Sequence, residues 1–188
     1  MRAKRPGPAA RPTAADQPTA GWESVAPTAP AKPRALPFGH GLDFATIDFR
    51  ERPDLYRVGK GEQGVFSVEP YKSEILPHWR FRTPEIARAS ADAIWLLFTG
   101  YRERGDFVGM DMARKFLQMG VTRSRRYANH KSGRKWSPDH SEVLPPDIDP
   151  VKAECARIFF ERYERARDDE TYQRMRAAHI DASGKRHP

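Results

Sequence analysis

Helix starts and stops are written into this chain at four places, and they commit its second half to a mainly helical fold. Thr83-Pro84-Glu85 opens the first helix: a threonine hydroxyl accepts from free amides of the first turn, proline is preset for that turn, and glutamate complements the positive helix end. Ile86, Ala89, Ala93, Ile94, Leu97, Phe98 and Tyr101 then recur at helical spacing, and Gly105 supplies a stop, which predicts a helix to about Arg104. A second helix is expected from about Asp106 to Met119, burying Val108, Met112, Ala113, Phe116 and Leu117, with Gly120 ending it as Gly105 ends the first. Thr122 would then cap a short third helix through about His130. Asp149-Pro150 opens the last element, whose face of Val151, Cys155, Ile158, Phe159, Arg162 and Tyr163 continues to about Ala177.

The remainder reads differently. Ser132-Gly133, Pro138, Pro145 and Pro146 keep residues 132–148 out of helix. Residues 54–70 carry Leu55, Tyr56 and Val58 on one run and Val65, Phe66 and Val68 on another, joined through Gly59, Gly61 and Gly64, the outline of a β-hairpin. A packed irregular connection is expected from Tyr71 to Phe81, because Pro77 interrupts Ile75, Leu76, Trp79 and Phe81. The expected fold is therefore α+β: mainly helical, with a small N-terminal β-hairpin, three helices, a basic loop and a long C-terminal helix. Residues 1–37 hold 8 of the 17 prolines with scarcely a large apolar side chain, so they are expected to form a disordered basic Pro/Ala-rich tail. That leaves a single globular domain over 38–181 and a flexible tail over 182–188.

Composition narrows the functional classes. A net charge of +8 and a pI near 9.8 favour a nucleic acid or another polyanion as partner. The single cysteine, Cys155, excludes an internal disulfide and a thiolate zinc cluster, consistent with a reducing, cytoplasmic setting. No apolar run is long enough to span a bilayer, so no membrane association is expected, and no cofactor or metal motif is present. The run of residues 59–64, glycine at first, third and last places, fails the spacing of phosphate-loop patterns and is read as a turn.

Charge is distributed unevenly. Between Asp111 and Asp139 there is no acidic residue, yet Arg114, Lys115, Arg123, Arg125, Arg126, Lys131, Arg134 and Lys135 lie there, interleaved with Tyr127, His130 and Trp136. Like charges at this density repel unless an anion screens them, and rings between them add stacking surface. The predicted helices on either side of Gly120 also have the outline of a DNA-binding helix-turn-helix, with Arg123, Arg125, Arg126 and Asn129 on the second helix. The loop from Lys131 to Trp136 combines flexible lysine, planar arginine and an indole, a set suited to a phosphate backbone or an unstacked base. The expected nucleic-acid-binding residues are Arg123, Arg125, Arg126, Tyr127, Asn129, Lys131, Arg134, Lys135 and Trp136, mostly through phosphate contacts.

Three alternatives stand beside this reading. The arginines could instead pair with acidic residues of the final helix. An enzyme acting on a phosphorylated or nucleic-acid substrate would draw acid, base or metal ligands from Glu69, Glu74 or His78, although a lone histidine such as His78 is more often packed. A protein-interaction module would dock a partner on the charged final helix.

The runs at 56–59, 61–65, 68–81, 106–120 and 125–130 resemble an uncharacterised domain-of-unknown-function family found in bacteria, fungi and tailed phages. The longest reads Asp106-Phe107-Val108-Gly109-Met110-Asp111-Met112-Ala113-Arg114-Lys115-Phe116-Leu117-Gln118-Met119-Gly120, and another reads Arg125-Arg126-Tyr127-Ala128-Asn129-His130. The resemblance covers about residues 38–170. It implies no activity to carry over, and the phage occurrence leans towards a nucleic-acid role by analogy.

Overall fold

The computed structural model describes residues 38–39 and 41–184; the expected N-terminal tail lies outside them, as do the last four residues of the C-terminal one. Five helices follow in chain order: α1 (Tyr71–Ile75), α2 (Pro84–Glu103), α3 (Phe107–Asn129), α4 (Pro150–Arg167) and α5 (Glu170–Gly184), with 3-10 turns at Pro53–Leu55 and Leu76–His78. No strand occurs among the described residues, only single bridging pairs such as Asp48 with Glu69.

The caps read from the sequence are in place. Thr83 accepts from the amide of Ile86 at 3.4 Å. Asp149 accepts from Val151 and Lys152 amides at 2.9 and 3.2 Å. Gly105 takes the left-handed conformation, φ +67°, that ends α2 and turns the chain into α3. Asp106 caps α3 by accepting from the Gly109 amide at 2.9 Å and also receives the Tyr71 hydroxyl at 2.7 Å, which pins α1 to this corner.

Gly120 behaves differently from Gly105. It is absent from the positive-φ glycines, and α3 runs straight through it as a single 23-residue helix. A Cβ at this position would lie 2.3 Å from Cδ1 of Phe159, so the missing side chain is what lets α4 seat its ring against α3. That buried ring is worth about 2–3 kcal/mol, against roughly 1 kcal/mol lost by placing glycine in a helix interior. Thr122 is no cap either: its hydroxyl bonds back to the Met119 carbonyl and across to Glu62. The two helices and tight turn expected here are one rod, and the helix-turn-helix reading is withdrawn.

The β-hairpin is likewise replaced, and with it the expected α+β class: the described residues form a helical fold with no strand. Gly61 and Gly64 take left-handed φ of +56° and +96°, and the chain winds through successive turns, with Gln63 N bonded to Lys60 O and Val68 N to Gly64 O. Val65 and Val68, three residues apart, both enter the core while Phe66 is exposed, an inward spacing nearer a helical turn than a strand. The final helix, expected to be continuous, breaks at Asp168 and Asp169: α4 ends at Arg167, and Asp169 accepts from the Tyr172 amide at 2.9 Å to start α5. Of residues 71–81, expected to be irregular, 71–78 form α1 and a 3-10 turn, and only 79–81 are irregular.

α3 is the axis of the core. Every residue from Phe107 to Leu117 is buried, with α2, α4, α5 and α1 packed around it. Cys155, Met110, Met112 and Met119 are all fully buried packing residues. None of the described helices is long and apolar enough to cross a membrane.

Candidate nucleic-acid interface and a buried charge cluster

α3 changes character along its length. Its first half is inside the protein, whereas its last two turns emerge and carry Arg123, Arg125, Arg126 and Asn129. The chain then leaves at His130 on a loop that doubles back. Ser137 N bonds to Glu142 O at 2.9 Å and Leu144 N to Lys135 O at 2.8 Å, while Asp147 N returns to Asn129 O at 2.9 Å and Asp149 N to Ala128 O at 2.8 Å. The loop is thereby tied to the end of α3. Its tip is ordered by Asp139, which accepts from Ser137 and Ser141; those bonds hold its carboxyl down at about 2.

Between helix end and loop lies a cavity of about 780 Å³ lined by Arg126, Asn129, His130, Arg134, Lys135 and Trp136, with Ser137 and His140 at its margin. None of the three cations forms an ion pair among the described residues. Trp136 leaves 42% of its surface exposed. The α3 C-terminus contributes a partial negative charge of about half a unit here, so attraction for an anion has to come from these side chains, not from the helix end.

Other expected residues lie elsewhere. Arg125 points to another groove with its guanidinium 5.7 Å from the Phe160 ring centroid, and Arg123 lines neither groove. Tyr127 packs at 6.0 Å from Phe81 and against Gly133, where a Cβ would lie 2.7 Å from its ring, so it shapes the loop. Lys131 pairs with Asp147 at 3.2 Å. The carboxylates of α4 are occupied differently from the pairing alternative: Glu154 and Glu161 by Arg157, Glu164 and Asp168 by Arg167.

The residues of the enzyme alternative are held in other networks. Glu74 takes a two-pronged bond from Arg50 at 2.9 and 2.8 Å and the Tyr101 hydroxyl at 2.7 Å, and Arg50 holds its carboxyl below the usual range. Glu69 is bonded to Lys72 and to Ser73. His78 is exposed rather than packed, and none of the three lines the basic cavity. Among the described residues no three His, Cys, Asp or Glu side chains cluster closely enough to hold a metal ion.

Two cations of the acid-free stretch face inward, a feature the sequence reading missed. Arg114 is 9% exposed and Lys115 fully buried, one turn along α3 from the fully buried Asp111. Asp111 Oδ1 accepts from Arg114 Nε and Nη2 at 3.0 and 2.9 Å and from the Tyr172 hydroxyl at 2.7 Å. Its Oδ2 accepts from the Tyr56 hydroxyl and lies 3.3 Å from Lys115 Nζ. Lys115 places its three protons on Tyr56 Oη at 2.9 Å, Gln63 O at 2.8 Å and Asp111. Desolvation acts to raise the Asp111 pKa, but Arg114, Lys115 and the two tyrosines outweigh it and hold the carboxyl at about 2. Burial pushes the Lys115 ammonium below its ordinary value and the Tyr56 phenol well above its own. The available signal was the spacing: Asp111, Arg114 and Lys115 are i, i+3 and i+4 within an otherwise apolar window, where charges survive only when paired.

A family model described as a domain of unknown function, DUF4385, matches residues 39–182. The chain belongs to that family. The match takes in α1 to α4 whole and α5 as far as Ala182, so the buried charge cluster and the basic cavity both fall inside the DUF4385 domain. Comparison with curated proteins and with solved structures finds no match.

Proposed function

We propose that this protein is a nucleic-acid-binding module that grips the phosphate backbone with little regard to sequence, through Arg126, Arg134 and Lys135, with Trp136 stacking on a base and Asn129 and His130 supplying polar contacts. One observation carries the reading: three cations without carboxylate partners among the described residues and a half-exposed indole line a single concavity of about 780 Å³. A solubilising surface has no need of convergence, and a core would not leave the indole open. Arginine forks suit phosphate oxygens, and an aromatic face accepts any base. With the helix-turn-helix outline gone, base-specific reading in a major groove has no support, and the backbone is the favoured target.

Three phosphate contacts give a log-log slope of affinity on salt of about −3 for duplex DNA and about −2 for single strands. Arg126→Ala with Arg134→Ala should flatten the duplex slope by about two. Anisotropy titrations of a labelled oligonucleotide across a salt series measure this directly, and an affinity indifferent to ionic strength rules the mode out.

A further inference from the structure

The buried charge cluster is not balanced among the described residues. One carboxylate, Asp111, faces two inward cations, Arg114 and Lys115, and its oxygens are already taken by four side chains. Lys115 is saturated, but Arg114 is not. Its guanidinium carries five N–H bonds. Nε and Nη2 each give one to Asp111, and Nη1 gives one to Gln118 Oε1 at 3.0 Å. One N–H on each terminal nitrogen is left without an acceptor among the described residues, on a side chain nine-tenths buried.

Arg114 lines a second, separate pocket of about 370 Å³, between the glycine turn at 59–61, the middle of α3 and the start of α5. Lys60, Arg167 and Arg176 line it too, and no carboxylate of the described residues does. Arg167 is paired with Asp168, whereas Arg176 and the Lys60 ammonium have no ion pair among the described residues. The turn lies against α3, with the Cβ position of Gly61 3.9 Å from Gln118 Nε2. A net positive charge held this deep is costly unless a counter-ion satisfies it.

We propose that this pocket binds a phosphate-class oxyanion, either free phosphate or the phosphoryl group of an ester, held by the open N–H bonds of Arg114 and by Arg176 and Lys60. The site is distinct from the basic cavity at the end of α3 and does not depend on it. Two N–H donors on one guanidinium suit two oxygens of a tetrahedral anion, and Lys60 and Arg176 add charge from the rim.

Titration calorimetry of the full chain with inorganic phosphate and with phenyl phosphate, at ionic strength fixed with chloride, tests this. Saturable single-site binding is expected, with a melting temperature raised by roughly 5–10 °C at a hundredfold excess over Kd. Arg176→Gln and Lys60→Gln remove rim charges without touching the Asp111 network and should each weaken binding about tenfold. Arg88→Gln, an exposed charge on α2, should leave it unchanged. Tighter binding of phenyl phosphate identifies an ester as the ligand, and tighter binding of the inorganic ion identifies free phosphate. Absence of saturable heat throughout the millimolar range overturns the proposal, as does binding that survives the Arg176→Gln, Lys60→Gln double variant or falls equally in Arg88→Gln.

Discussion

Asp111→Asn removes the negative charge from the buried cluster on α3 at almost constant volume. It leaves Arg114 and the fully buried Lys115 facing a neutral amide, whose NH2 would also confront donors from Tyr56 or Tyr172. Removing one partner of a buried ion pair costs about 3–5 kcal/mol, or about 6–20 °C in Tm at roughly 2–4 °C per kcal/mol for a domain of this size. The loss has a second, pH-dependent signature. In the folded protein the carboxyl is lowered from 3.8 to about 2, a difference worth about 2 kcal/mol. Because the folded pKa is the depressed one, that stability is present in full above about pH 4 and drains away as pH falls through about 2. Urea unfolding at neutral pH and at points down this range, on parent and variant, measures both. Glu69 and Glu74 also titrate low and contribute to the parent's acid limb, so the informative quantity is the difference between the two proteins. The gap should be widest at neutral pH and narrow by about 2 kcal/mol in acid. A variant within about 1 kcal/mol of the parent at neutral pH, or a gap that stays constant into acid, refutes the claim that Asp111 is the ionised hub of this core.

Gly120→Ala should destabilise by about 1–3 kcal/mol despite alanine's better helix propensity, since its Cβ would meet Phe159 at 2.3 Å; pairing it with Phe159→Leu should restore part of the loss, and a stabilised single variant in thermal melts contradicts the packing account. Asp149→Ala should cost about 1 kcal/mol by leaving the first amides of α4 uncapped, while Asp149→Ser should retain most of the stability in the same chemical unfolding assay.

Much of the fold was legible because its signals are local. The threonine, aspartate and proline at 83–84 and 149–150 act within one turn, and Gly105 with the chain reversal after it needs no distant partner. The errors fall where a distant partner decides. Gly120 has the same identity as Gly105, but it keeps an ordinary helical backbone and leaves room for the Phe159 ring of another helix, and nothing adjacent in sequence announces that contact. Val65 and Val68 read as strand residues until the left-handed turns at Gly61 and Gly64 aim both inward. The basic cavity was half visible: Arg126, Asn129, Arg134, Lys135 and Trp136 converge, whereas Arg125, Tyr127 and Lys131 are diverted to Phe160, Phe81 and Asp147. Counting charges could not separate Arg114 and Lys115 from the surface cations, because burial depends on which face of α3 meets its neighbours.

The unbroken course of α3 gives the molecule a fixed angular phase between its interior and its outer end. Asp111 and Arg126 are fifteen residues apart on one rod, so each residue between them sets about 100° of rotation and about 1.5 Å of advance. Deleting a single residue near Gly120 would swing Arg126 and Asn129 about 100° around the axis while Asp111 stayed locked in the interior. Length variation is thus forbidden along this stretch and has to be absorbed by the loop that follows it.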